Sequence, residues 1–180
     1  MRPIFLIGMM AAGKSTLGGA LAAAGVSAFV DLDAVTERIG GGTAADIFAA
    51  GGESAFAAAE AAALAEVSGR TDVVVACGGG TPCRADNMDV MLAAGTVVWL
   101  TADTSRIVAR IMEAPAGQRP LVADCHADAA ALTERIERLT AERAPCYGRA
   151  HYKFDTTHLD TAAEVADAVE RFKKLIYIRS

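Results

Sequence analysis

The sequence predicts an α/β fold, a three-layer sandwich in which a parallel sheet lies between two layers of helices. Three observations predict it. Short apolar runs rich in β-branched residues alternate with alanine-rich helical stretches, the pattern of parallel strands joined by right-handed crossovers. The runs are largely free of charge, as strands covered on both faces should be. The chain has 180 residues, about one domain's worth, and neither a repeat nor a linker divides it.

The elements follow in order. Ile4 to Ile7 is β-rich and ends at Gly8, and Lys14 to Ala24 are helix formers ending at Gly25. Ala28 to Leu32 predicts a second strand, followed by helices over Ala34 to Ile39, Ala44 to Ala50 and Glu53 to Val67. Ala57 to Ala63 has the look of low complexity, yet Phe56, Glu60 and Leu64 keep an i, i+4, i+8 face. Val73 to Cys77 and Thr96 to Leu100 predict strands three and four, separated by a helix over Asp86 to Ala94. A helix over Thr104 to Met112 leads into the clearest loop, Glu113 to Pro120, whose proline and glycine content fits a mobile flap. Arg143 falls near the end of a helix before Pro145. Tyr152 to Phe154 predicts a fifth strand, and Thr161 to Ile176 a closing helix with Val165, Ala168, Val169, Phe172 and Leu175 at helical spacing.

Composition removes several function classes. Hydrophobic residues make up 53% of the chain, much of it alanine, and the larger apolar residues still suffice for one core. The formal net charge of −5 repels polyanions, so no nucleic-acid partner is expected. No apolar stretch approaches the roughly 18 residues that cross a bilayer, so no membrane role is expected either. Arg2 and the apolar run from Ile4 to Ala12 imitate a signal peptide, but Gly13-Lys14-Ser15 ends that run. Cys77, Cys83, Cys125 and Cys146 form no CxxC pair, and the three histidines offer no ligand spacing beside them. They read as reduced thiols with packing roles in a cytoplasmic protein.

Gly8-Met-Met-Ala-Ala-Gly13-Lys14-Ser15 fits Gly-x-x-x-x-Gly-Lys-[Ser/Thr], between a predicted strand and a predicted helix as that phosphate-binding loop requires. Its glycines let backbone N–H groups turn inward around phosphate oxygens, and the following helix adds its positive end. Lys14 would bridge the β- and γ-phosphates, and the Ser15 hydroxyl would hold Mg²⁺. Gly8, Ala11, Ala12, Gly13, Lys14, Ser15 and Thr16 thus form the expected ATP or GTP site. Ala11 and Ala12 stand where many such loops carry another glycine, and they are expected to keep negative φ.

Four constellations would face the phosphate acceptor. Asp31 and Asp33 end the second strand, so one carboxylate could order Mg²⁺ waters while the other accepts a hydrogen bond from the attacking hydroxyl. Asp33 could equally cap the helix beginning near Ala34. Gly78-Gly79-Gly80 lets a small ligand approach the backbone after the third strand, as a plain turn also would. Arg119, in the proline-flanked loop, could close over the transferred phosphoryl group or simply face solvent. Arg143 could present a fork to a carboxylate or compensate the end of its helix.

Together these residues resemble the shikimate kinase family over nearly the whole chain. The resemblance rests on the phosphate loop, Asp31-Leu32-Asp33, Asp46-Ile-Phe followed by Gly52-Glu53 and Phe56, the triple glycine, Arg119-Pro120-Leu121, and Glu142-Arg143-Ala-Pro145 with Tyr147. It implies a P-loop kinase-type domain spanning residues 1–180, with five parallel strands, a substrate-binding helical section over about 33–60 and a lid over about 113–124. It implies transfer of the ATP γ-phosphoryl group to the 3-hydroxyl of shikimate, a step of aromatic amino-acid biosynthesis, with Mg²⁺ as cofactor and no obligate protein partner. In the roles it implies, Lys14, Asp33 and Arg119 are catalytic and Ser15 and Asp31 serve the metal. Asp33, Gly78, Gly79, Gly80 and Arg143 meet the substrate, Arg143 at its carboxylate, and Arg110 packs against adenine.

One position departs from the family pattern. Ala57 stands where the family has an arginine that grips the shikimate carboxylate, a contact worth about 1.5–3 kcal/mol. Weak substrate binding, a relocated cation such as Arg84, or a different acceptor would each account for it. A kinase of another small metabolite, such as gluconate or a nucleotide, is therefore the alternative within the enzymes. An ATP-binding regulator without transfer activity is the alternative outside them.

Overall fold

The computed structural model describes residues 1–115 and 120–177. Five strands, β1 (Ile4–Ile7), β2 (Ala28–Asp31), β3 (Val73–Ala76), β4 (Thr96–Thr101) and β5 (Tyr152–Asp155), form one sheet in the order β2-β3-β1-β4-β5. Every pairing is parallel, as the alternation of apolar runs and helices predicts. The register sets Leu6 beside Ala76 and Ile7 beside Trp99, so the carboxyl ends of the strands share one edge. In open parallel sheets that edge is where ligands bind.

Among the described residues seven α-helices cover the sheet: α1 (Lys14–Ala23), α2 (Leu32–Gly40), α3 (Ala44–Ser68), α4 (Asn87–Ala94), α5 (Thr104–Glu113), α6 (Ala129–Tyr147) and α7 (Ala162–Tyr177). Alternation along the strands sorts the core into two faces. Ile4, Leu6, Val74, Val98 and Leu100 pack with Leu17 and Leu21 of α1 and with Val169 and Phe172 of α7. Phe5, Ile7, Val73, Val75 and Val97 face the opposite layer, where Leu64, Met91, Ile111 and Ile136 represent α3, α4, α5 and α6. Each such large apolar side chain contributes about 1.5–3 kcal/mol on burial, so both layers are held by the sheet itself.

Most boundaries agree within a residue or two, and the differences at β2, α2 and α6 bear on the site. The second strand stops at Asp31 rather than Leu32, because the Asp31 carboxylate accepts the Asp33 N–H at 3.0 Å and starts α2 two residues early. Asp31 is therefore the cap, which leaves Asp33 in the first turn with its carboxylate free for other work. Helix α6 runs through Pro145 to Tyr147 instead of ending before the proline. The split expected between Ala50 and Glu53 holds: Gly52 adopts φ 66°, breaking α3 where the two predicted helices meet. Thr43 and Asp46 close a reciprocal capping box at the start of α3, which fixes the helical section beside the ligand edge.

Candidate active site

The phosphate loop rises from β1 and turns into α1 on three left-handed residues, Gly8 (φ 138°), Ala11 (φ 57°) and Gly13 (φ 87°). A Cβ on Gly8 would lie 2.4 Å from the Leu100 carbonyl oxygen, and one on Gly13 would lie 2.4 Å from Leu159 Cδ2. Gly8 is thus required by space as well as by dihedral, and Gly13 chiefly by its dihedral, since the Leu159 side chain can shift. Ala12 keeps negative φ as expected, but Ala11 does not. The loop needs a left-handed residue there to bring successive N–H groups inward, and Ala11 carries that strain of about 1 kcal/mol. No side chain caps α1, which leaves its first-turn N–H groups turned toward the loop.

The Lys14 ammonium donates to the carbonyl oxygens of Gly8 (2.9 Å) and Met9 (2.8 Å), which holds it across the loop. Burial lowers its pKa to about 8 against the opposing pull of nearby Asp33 and Asp31. Ser15 Oγ lies 3.3 Å from Asp31 Oδ2. Asp33 opens into the same space, and the protein packed around its carboxylate, followed by the Asp31 charge, raises its pKa to about 6. Lys14, Ser15, Asp31, Asp33, Gly78 and Gly79 line one cleft of about 290 Å³.

A larger cleft of about 620 Å³ adjoins it and shares Asp33 and Gly78 with the first. Its walls are Phe48 and Phe56, stacked with centroids 4.7 Å apart, together with Leu121, Thr81 and Gly80. Arg143 and Arg84 supply its positive charge. The triple glycine is shaped by this wall: a Cβ on Gly79 would meet Arg143 Nη1 at 2.9 Å, and one on Gly78 would meet Asp33 Oδ1 at 2.8 Å. Tyr147 donates its hydroxyl proton to the Gly79 carbonyl at 2.5 Å, tying α6 to the glycine turn.

A third hollow of about 230 Å³ lies on the other side of the phosphate loop, lined by Ala11, Gly13, Thr16, Arg110, Leu159 and Asp160. Arg110 holds it together by donating to Asp160 Oδ1 at 2.7 Å, to the Thr156 and Thr157 carbonyls at 3.0 Å and to the Ala11 carbonyl at 3.3 Å. Thr156 Oγ1 adds a bond to the Ala12 carbonyl at 2.7 Å. The flat guanidinium beside an open hollow suits a planar base.

The sequence-derived residues therefore converge, with one exception: Arg119 lies outside the described residues. The described part of the expected lid is anchored, since Val122 and the adjoining Cys125 are buried and Arg135 binds the Leu121 carbonyl and Asp124. Sequence reasoning gave no site role to Glu60, Phe48, Thr156, Thr157 and Asp160. Phe48 stood in the Asp46-Ile-Phe motif and Glu60 as a lone carboxylate on the apolar face between Phe56 and Leu64; the other three left no signal. For a divalent cation, Ser15 and Asp31 offer hard oxygens at one point beside the loop, a set that suits Mg²⁺ when phosphate and water complete its shell. Among the described residues no cluster of three His, Cys, Asp or Glu forms a self-sufficient metal site.

A strand-loop-helix phosphate cradle joined to an acceptor cleft defines a P-loop phosphotransferase of small molecules. The sequence pattern of shikimate kinase matches residues 10–173. The shikimate kinase of Bacteroides fragilis is 36% identical over 173 residues, covering 96% of this chain and 95% of that one. The crystal structure of the shikimate kinase of Bacteroides thetaiotaomicron superposes with a TM-score of 0.88 at 34% identity, covering 97% of this chain and 98% of that one. That of Acinetobacter baumannii, in complex with shikimate, gives 0.81 at 29% identity, covering 100% and 95%. The chain belongs to the shikimate kinase family.

Proposed function

We propose that the chain transfers the γ-phosphoryl group of ATP to the 3-hydroxyl of shikimate, releasing ADP and shikimate 3-phosphate. The observation that carries this reading is the position of Asp33 and Gly78, each lining both the phosphate cleft and the acceptor cleft. A hydroxyl held there meets the terminal phosphate of a nucleotide in the loop.

The roles follow from placement. Lys14 neutralises the β,γ-phosphate oxygens while its two carbonyl contacts keep it in line. Asp33, ionised above about pH 6, accepts a hydrogen bond from the substrate hydroxyl and orients it for in-line attack. Gly79 and Gly80 let the ring approach the backbone, and Arg143 binds the carboxylate. Arg110 borders the adenine. Arg119, on the lid of about 113–124, completes the charge balance. Ser15 and Asp31 would hold Mg²⁺, which supplies charge neutralisation on the phosphates. The chain works as one domain over 1–180, with its substrate section over about 33–60. No described helix is long and apolar enough to cross a membrane. The reading extends to a cytoplasmic enzyme without a nucleic-acid or obligate protein partner, given its acidic charge.

The test is ADP release with and without shikimate. Turnover that depends on shikimate supports the reading and removes an ATP-binding regulator. Turnover with gluconate or a nucleoside monophosphate in its place overturns the acceptor assignment. A Lys14→Ala variant that consumes ATP as well as its parent overturns the phosphate site.

A further inference from the structure

The acceptor cleft contains a cation whose surroundings are built for more than salt-bridge chemistry. Arg84 follows the short 3-10 turn Thr81–Cys83, directly after the triple glycine. Its guanidinium lies over the Phe56 ring at 5.2 Å and pairs with Glu60 through Nη1. Phe56 is itself stacked on Phe48, so the surface under Arg84 is fixed. Glu60 is the unusual partner: its side chain is only 4% exposed, yet it carries a charge inside an alanine-rich helix. It accepts from Thr81 Oγ1 at 2.7 Å and from Asn87 Nδ2 at 3.4 Å in addition to Arg84. A buried carboxylate so fully occupied is a bracket, and what it brackets is Arg84.

Arg84 is 28% exposed, and its open side faces the cleft that it lines together with Arg143. One nitrogen is taken by Glu60, which leaves the rest of the fork available to a ligand. Ala57, one residue after Phe56 on the same helix, brings no charge that could replace it. We infer that Arg84, bracketed by Glu60 and Phe56, is the second guanidinium that binds the acceptor's carboxylate together with Arg143, and so sets this chain's preference for an anionic acceptor. This rests on the proposed shikimate phosphorylation and names the specificity determinant of that same cleft.

The experiment compares Arg84→Gln with its parent on shikimate and on shikimate methyl ester, with ATP varied separately. The expected result is a ten- to hundredfold rise in KM for shikimate, with the KM for the ester and for ATP moving less than threefold. Adding Ala57→Arg to Arg84→Gln should recover most of the shikimate KM, a rescue that a merely structural role for Arg84 would not produce. Arg84→Lys covers the case in which the glutamine variant does not fold; it keeps the charge beside Glu60 and should raise the shikimate KM by about fivefold through the lost fork. An unchanged shikimate KM in the variant that folds, or an equal rise for acid and ester, overturns the inference. If the parent itself fails to turn over shikimate, the functional reading fails instead, and the two failures are told apart by that control.

Discussion

Three residues in the phosphate loop and its surroundings hold conformations or charges that folding alone would not select. Ala11 is the clearest, a non-glycine residue at φ 57°. Ala11→Gly should relieve about 1 kcal/mol and raise Tm by about 2–4 °C in a chain of this size, read by thermal unfolding. A drop in Tm would mean that the loop tolerates its alanine without strain. Asp33 and Lys14 are displaced in opposite directions, to about 6 and about 8. In the free enzyme, kcat/KM should therefore rise through about pH 6 as Asp33 ionises and fall above about pH 8 as Lys14 loses its proton. Asp33→Asn should abolish the acid limb along with most activity. The same shift has a stability consequence of fixed sign. A carboxylate whose folded pKa lies above its unfolded 3.8 favours the folded state below 3.8, and that advantage is lost as pH rises through 6. Asp33→Asn should accordingly unfold at a higher temperature than its parent at pH 7.5, with the difference shrinking toward pH 4.

Helix α6 and the glycine turn are tied into one element at the acceptor cleft. The Gly79 carbonyl receives the Tyr147 hydroxyl at 2.5 Å, and a Cβ on Gly79 would lie 2.9 Å from Arg143 Nη1, so Arg143 would have to shift. Gly79→Ala should push the Arg143 fork aside and raise the shikimate KM by roughly tenfold, the loss of a charge-assisted contact, with little change in the KM for ATP. An equal effect on both substrates would show that the glycine serves the fold and not the site. This coupling was only half legible in the sequence. The glycines, Arg143 and Tyr147 each stood out, but the pairing of a hydroxyl with a carbonyl 68 positions away leaves no local pattern. Pro145 even pointed the other way, since a proline usually ends a helix, and here the packing of buried Tyr147 carries α6 past it.

Across the whole molecule, legibility follows sequence distance. The five strands, their parallel direction and the phosphate loop were readable because strand period, helix period and glycine spacing are local properties, whereas the order β2-β3-β1-β4-β5 was not. The hollow beside Arg110 was readable only in part: Arg110 came from the resemblance, whereas Thr156, Thr157 and Asp160 approach the loop from the far end of the chain through the β4–β5 pairing. That arrangement divides the ligand edge into two separately held halves, one pinned by the segment after β5 and one by α2, α3 and α6. A variant in one half should therefore leave the other intact. Asp160 tests this, because it orients Arg110 and also pairs with Arg106. The two arginines, chiefly through hydrogen bonds from Arg110, hold its pKa down at about 2. Its contribution is present above the ordinary carboxylate pKa of 3.8 and is lost as pH falls through 2, so Asp160→Asn should be less stable than its parent at neutral pH and approach it below about pH 3. The same variant should raise the KM for ATP by about fivefold or more while the KM for shikimate stays within twofold. Parallel losses for both substrates would mean that the sheet edge responds as one rigid unit, and the division into halves would fall.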